Sequence, residues 1–271
     1  MASDLARRLV PDELWELAEP LIPKFVPRRQ GGGTVGVDDR AVFTAIVYVL
    51  ASGCAWRHLP AEFGVSVPTA HRRFTAWTKA GLWPRLHHAV LDELGARGQL
   101  DWASAIVDAA AVRVEKGTLT GPNPVDRGKK GSKVHVLTDA AGLPLVVAVS
   151  AANVHDSQVL KPLLMALPAL RSRRGPRRRR PEKVRADKAY NSAEYRAWLR
   201  ERGIVPRIAR AGVESSERLG RHRWKIERTL SWLFGYRRLT VRYERHGHLF
   251  NAFLVLAATL TCYKRLARLA T

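Results

Sequence analysis

The chain has 271 residues, 46% of them apolar, and carries 46 Lys and Arg against 24 Asp and Glu, a formal net charge of +22. This length allows one large domain or two smaller ones. The apolar share excludes a disordered polycation, and only two cysteines, Cys54 and Cys262, exclude a disulfide framework or a cysteine-rich zinc module. The longest apolar stretch, Leu249 to Cys262, falls short of the roughly 20 residues that cross a bilayer. Asp4, Asp12 and Glu13 stand where a signal peptide is basic and then apolar. The expectation is a cytoplasmic protein. The charge is uneven: residues 1–100 carry a net +2 and residues 101–271 a net +20, and arginines outnumber lysines 35 to 11. A half-chain this basic repels itself and suits a polyanion, with binding that weakens steeply with salt.

In chain order, Asp12 to Leu21 follows Pro11 with an acidic first turn, a helix start. Arg28 to Gly36 is a basic, glycine-rich loop. Asp38 and Asp39 cap a helix over Arg40 to Ser52 with apolar residues at helical spacing. Past Trp56 to Gly64, Ser66 caps a helix running to Lys79, with Pro68 in its first turn. Phe74 and Trp77 of that helix point inward, and His71, Arg72 and Arg73 lie to one side. A short helix, a glycine turn and this second helix outline a helix-turn-helix. Trp83 to Leu94 is a further helix.

Near residue 100 the pattern changes. Ser104 to Asp108 is a strand ending in an acid, continued by Val112 and Val114. Residues 116–131 read as a mobile basic loop. Lys133–Thr138 and Leu143–Ala151 form a hairpin. His155–Leu170 is a helix, Val184–Asp187 a second strand ending in an acid, Ser192–Arg202 a helix and Ile204–Ala209 a strand. Ser215–Gly235 and His248–Leu269 are helices. The expected fold class is therefore α/β, a mixed sheet flanked by helices, preceded by an all-α part. The boundary is expected between residues 1–98 and 99–271.

The chemistry rests on acids. Asp108 and Asp187 both end strands, where sites of α/β sheets lie. Glu227 lies beside the apolar stripe of its helix, where an acid is costly unless paired or metal-bound. Three converging carboxylates suit a hard divalent ion such as Mg2+, whose shell is completed by water and phosphate oxygens. By spacing alone, ordinary strand-end and surface acids remain the alternative.

The surrounding blocks are more specific. Tyr48 to Pro60, Arg72-Arg73-Phe74, Val107-Asp108-Ala109, Gly131 to His135, Ala152 to Ser157, Ala186 to Tyr190 and Trp224 to Leu233, followed by Tyr236 to Leu239 and Arg242 to Arg245, resemble the DDE-type insertion-sequence transposases, in particular the group named after insertion sequence five. The resemblance runs over nearly the whole chain. It implies a ribonuclease-H-like catalytic domain in which Asp108, Asp187 and Glu227 hold two Mg2+ ions, with Mn2+ able to substitute. It also implies cleavage at transposon ends followed by strand transfer of the freed 3′-hydroxyl. The implied partner is double-stranded DNA, both terminal inverted repeats and target, bound by a homodimer or larger assembly associated with the bacterial nucleoid. One departure stands out. Related families place a Tyr seven residues and an Arg four residues before the Glu; here Arg223 holds the second position and Gly220 the first.

DNA-contact candidates are Arg72, Arg73, Lys133, His135, Arg177, Arg178, Arg223, Arg237 and Arg238. Lys133 and His135 share one side of a strand and face either phosphate or water. Residues 171–185, nine of them basic, are a DNA contact or a solvated loop. His155 and Asp156 are either a pair just behind the metal site or, through Asp156, a helix cap. Trp198, Trp224 and Trp232 are expected in the core. Two other functions fit the same residues: a ribonuclease-H-like nuclease that cuts without joining, and a non-enzymatic DNA-binding regulator.

Overall fold

A computed structural model describes residues 2–24, 36–209 and 216–269. The expected loop from Arg28 lies, apart from Gly36, outside the described residues. The order is α1 (Ala2–Leu9), α2 (Asp12–Ala18), α3 (Asp39–Ser52), α4 (Val67–Lys79), α5 (Leu82–Ala96), β1 (Ala105–Val114), β2 (Gly121–Pro122), β3 (Lys130–Thr138), β4 (Pro144–Ala151), α6 (Ser157–Met165), β5 (Lys183–Ala186), α7 (Ala193–Glu201), β6 (Val205–Ile208), α8 (Ser216–Phe234), β7 (Val241–Arg242) and α9 (Gly247–Ala267).

Helix boundaries follow local chemistry. Asp38 accepts from the amides of Arg40 and Ala41 and so starts α3, and Gly53, at φ +71°, ends it. Pro20 ends α2 in a 3-10 turn over Glu19–Leu21. Ser66 takes the N-cap position of α4, but its hydroxyl goes to the Thr69 side chain, not to a backbone amide. Ahead of α4, Ala61–Phe63 is a single 3-10 turn, so the first element of the expected helix-turn-helix is shorter than anticipated.

The sheet runs β4-β3-β1-β5-β6. Its β4-β3-β1 part is antiparallel and its β1-β5-β6 part parallel. The short β2 pairs with the start of β3 within the stretch expected to be loop, and β7 lies parallel to the end of β1. Strand alternation sends side chains to two covered faces. Ile106, Val112, Val134 and Val136 join α8, α9 and the N-terminal helices, and Ala105, Val107, Leu137 and Val184 join α6 and α7.

The first of these cores crosses residue 98 without a break. Phe253 of α9 stacks on Phe74 of α4 at 4.3 Å, and His87 of α5 hydrogen-bonds Pro144 O of β4 at 3.0 Å. The helix expected over His248–Leu269 is present as α9, 21 residues with enough length and hydropathy to cross a bilayer. However, 83% of its most apolar window is buried inside the protein. It is the core helix around which the rest packs.

Candidate active site

β1 and β5 set two acids side by side. Their register pairs Ile106 with Arg185, and Asp108 and Asp187 each lie two residues further along. The Asp108 carboxylate accepts from Ala109 N at 2.8 Å. Burial pushes its pKa up; the Ala109 amide and Arg223 oppose this, while Asp187 and Asp156 add to it. Asp187 opens a 3-10 turn by accepting from Ala189 N at 2.5 Å. That turn tucks the Tyr190 hydroxyl under the acids, buried and without a partner. Burial first, then Asp156, Asp108 and Asp187, raise the Tyr190 pKa, so three carboxylates act on one point.

Glu227 reaches this group from α8. It lies beside the apolar stripe as expected but is exposed, and Arg223 one turn earlier pairs with it. Arg223 Nε lies 3.1 Å from Glu227 and its Nη1 lies 3.7 Å from Asp187. One guanidinium therefore spans the two acids.

Asp156 stands at the N-terminus of α6 without capping it. Its carboxylate instead accepts from Lys133 Nζ at 2.8 Å, and Lys133 also donates to Val154 O. His155 takes the helix end, with Nδ1 2.7 Å from the Ser157 hydroxyl.

The other candidates divide by burial. His135 does not face water, and Lys133 keeps only a small part of its side chain exposed while it is held by Asp156. β3 is paired on both edges and covered on both faces, so an alternating pattern here does not mean an exposed side. His135 is fully buried against Ser150, and burial brings its pKa down to about 4, which keeps it neutral. Arg238 is buried as well, paired with Glu244 at 2.7 Å and donating to Cys54 O, whereas Arg237 beside it is exposed. Arg72 is exposed, and Arg73 turns back to pair with Asp39. Arg177 ties the basic segment to Asp92 of α5, and Arg178 lies over the Trp102 ring; both are half-exposed. Trp224 and Trp232 are not in the core: they are exposed on α8, with Arg228 between their rings, and Trp198 is half-buried.

The sequence reading passed over Tyr190, Lys133–Asp156 as a pair, and Arg242, which is fully buried and donates to the carbonyls of Thr118 and Glu244 and to Ser132. The parity of Lys133 with buried β3 positions was the available signal for the pair.

Among the described residues no three His, Cys, Asp or Glu side chains stand close enough together to hold a metal ion. The donor set nevertheless fits a hard divalent cation: the oxygens are carboxylates, their charges repel, and a guanidinium stands between two of them, where a cation is favoured.

Two family models match. "Transposase DDE domain" covers residues 104–262 and "Putative transposase of IS4/5 family" covers residues 10–87. The chain belongs to the DDE transposase family. It is 46% identical over 149 residues to the "Putative transposase for insertion sequence element IS402" of Burkholderia cepacia, covering 55% of this chain and 71% of that one. It is 31% identical over 126 residues to the transposase of insertion sequence element IS1106 of Neisseria meningitidis serogroup B, covering 44% and 40%. The fold is similar to that of piggyBac transposase in a synaptic complex with hairpin DNA, with a TM-score of 0.51 and 9% identity over 97% of this chain and 75% of the other. The protein is thus a DNA transposase with a ribonuclease-H-like fold. Its family implies nuclease and transesterase activity and generally uses divalent metal ions.

Proposed function

We propose that this transposase cuts the ends of its own mobile element and joins the freed 3′-hydroxyl to target DNA, using Asp108, Asp187 and Glu227 to hold two Mg2+ ions, which Mn2+ can replace. The observation that carries this is a pair of acids in matching register: Asp108 within β1, which runs on past it to Val114 against the expectation of a strand ending there, and Asp187 just beyond β5. The first is desolvated and repelled by its neighbours, and a guanidinium links the second to Glu227. When bound, two such ions activate the attacking water or hydroxyl and stabilise the leaving oxygen of a phosphodiester. Asp108, the most deeply desolvated of the three, gains most from a bound cation. Arg223 offers a planar fork suited to a phosphate, and half of its side chain is exposed. It would be free to bind a DNA phosphate if Asp187 and Glu227 held a cation in its place. Lys133 holds Asp156 close behind Asp108.

The partner is double-stranded DNA, inverted repeats and target, engaged by a homodimer or larger assembly. Residues 1–98 contribute DNA contacts through Arg72, and residues 99–271 contribute the catalytic centre with Arg177, Arg178 and Arg237 around it. The net +20 of that second part offsets the repulsion between two duplexes and an acidic centre.

Nicking of supercoiled DNA tests this. It is expected to require Mg2+ or Mn2+ and to fall at least about a thousandfold in Asp108→Ala. An Asp108→Ala protein that nicks as well as its parent removes the site. Short inverted repeats flanked by a duplicated target around the gene would identify the substrate.

A further inference from the structure

Glu227 is an exposed side chain whose ion-pair partner, Arg223, lies on the same helix. Its place relative to Asp108 and Asp187 is therefore set by how α8 is held. One residue of slip turns a helix by about 100° and moves it about 1.5 Å. The buried stripe of Ile226, Leu230 and Leu233 opposes a full slip, but apolar contacts are non-directional and leave smaller rotations and shifts of the helix less tightly held.

A directional restraint lies beside them. Three α8 side chains, within two residues of Glu227, donate to three consecutive carbonyls of the β3–β4 turn. Lys225 Nζ donates to Ala140 O at 2.7 Å, Arg228 Nη2 to Ala141 O at 2.6 Å and the Thr229 hydroxyl to Gly142 O at 2.5 Å. The turn that receives them is itself braced. The Asp139 carboxylate accepts from the amides of Ala141, Leu143 and Asp101, and the Ala140 amide donates to Asp101 O. Gly142, at φ +93°, leaves room for the approach: a Cβ there would stand 3.1 Å from Arg228 Nη2, Lys225 O and the Thr229 hydroxyl. Thr229 is fully buried, and of the two carbonyls within reach of its hydroxyl, Gly142 O at 2.5 Å and Lys225 O of its own helix at 3.0 Å, the nearer is the one on the turn.

We propose that Lys225 and Thr229 are positioning residues for the third carboxylate: through the Ala140–Gly142 carbonyls they lock α8 in the register that presents Glu227 to Asp108 and Asp187. This rests on the metal-site reading above. It assigns a catalytic consequence to a turn more than 80 residues away in the chain, on the far end of the β3–β4 hairpin. Arg228 shares the lock while stacking between Trp224 and Trp232.

The test is Mn2+ binding to the full-length protein, followed by electron paramagnetic resonance without DNA. The parent is expected to bind Mn2+, and Asp108→Asn to lose it. Thr229→Val, which deletes the hydroxyl at nearly constant volume, and Lys225→Met should each bind about threefold to tenfold more weakly, the worth of one net hydrogen bond. Thr229→Ser should restore parental affinity. A role confined to stability would leave the folded Thr229→Val protein at parental affinity, and a general loosening of the site would weaken Glu227→Gln further when Thr229→Val is added. Positioning through Glu227 predicts that the double variant binds no more weakly than Glu227→Gln alone. Parental affinity in Thr229→Val and Lys225→Met, or additive loss in the double variant, overturns the proposal. If Thr229→Val does not fold, Lys225→Met alone and with Glu227→Gln decides by the same criteria. A parent that binds no Mn2+, or binds it equally without Asp108, overturns the metal-site reading itself, and the lock with it.

Discussion

Arg237 and Arg238 are adjacent, chemically identical and placed in opposite worlds. Arg238 is buried on Glu244 and Cys54 O, whereas Arg237 faces solvent. Removing one member of a buried pair leaves the other charge stranded, at about 3–5 kcal/mol. Arg238→Met should therefore lose most of that in urea unfolding, while Arg237→Ala should leave stability within about 0.5 kcal/mol and weaken DNA binding. Nothing in composition or spacing separates the two; the pairing with Glu244 exists only once the 3-10 turn over Arg237–Leu239 is folded. His87 gives a pH prediction. Burial lowers its pKa from 6.5 to about 4 while it donates to Pro144 O. Its folded pKa is depressed, so stability is fully present above pH 6.5 and is lost as pH falls towards 4. The loss amounts to up to about 3 kcal/mol. His87→Gln, which keeps a donor, should show a shallower fall over that window than the parent.

At the scale of elements, strands and helix faces were legible and exposure was not. The apolar run before Asp108 and the short alternating run before Asp187 were legible as strands, but β1 continues beyond Asp108 to Val114, where the antiparallel ladder with β3 carries it on. His135 misled because alternation marks an exposed face only on strands with one face open to water, and here it is fully buried. Trp224 and Trp232 misled because aromatic residues are usually core, and here a cation between them lets the rings stand in solvent. The β3–β4 turn was legible as a turn through Gly142, but its contact with α8 was not, since it joins residues far apart in the chain. Gly142→Ala would both strain a left-handed backbone and crowd Arg228 and Thr229. It should cost about 1–2 kcal/mol and melt at a lower temperature than the parent, whereas the open site at Gly128 should bear only the backbone part of that cost when changed to Ala.

Over the whole molecule, the charge divides at residue 100 but the core does not. The N-terminal helices wrap α9, through Phe74 on Phe253 and α5 on the same helix. Residues 99–271 alone would expose the apolar surface that α3, α4 and α5 cover, so this piece is expected to aggregate when made by itself and to recover solubility when residues 1–98 are co-expressed. A soluble, cooperatively melting 99–271 fragment would contradict that dependence. The shared core also explains how a nearly neutral helical part can be held rigidly against a strongly basic catalytic part.

Strand joining tests the three-carboxylate centre most directly. Pre-cut element ends bearing a free 3′-hydroxyl are incubated with the full-length protein, supercoiled target DNA and Mg2+, and joined product is counted. The parent should join ends and lose the product when Mg2+ is withheld, and Asp108→Asn, Asp187→Asn and Glu227→Gln should each bind the ends yet join none. Joining that survives any one of these substitutions, or proceeds without a divalent ion, would contradict a single metal-holding centre built from Asp108, Asp187 and Glu227.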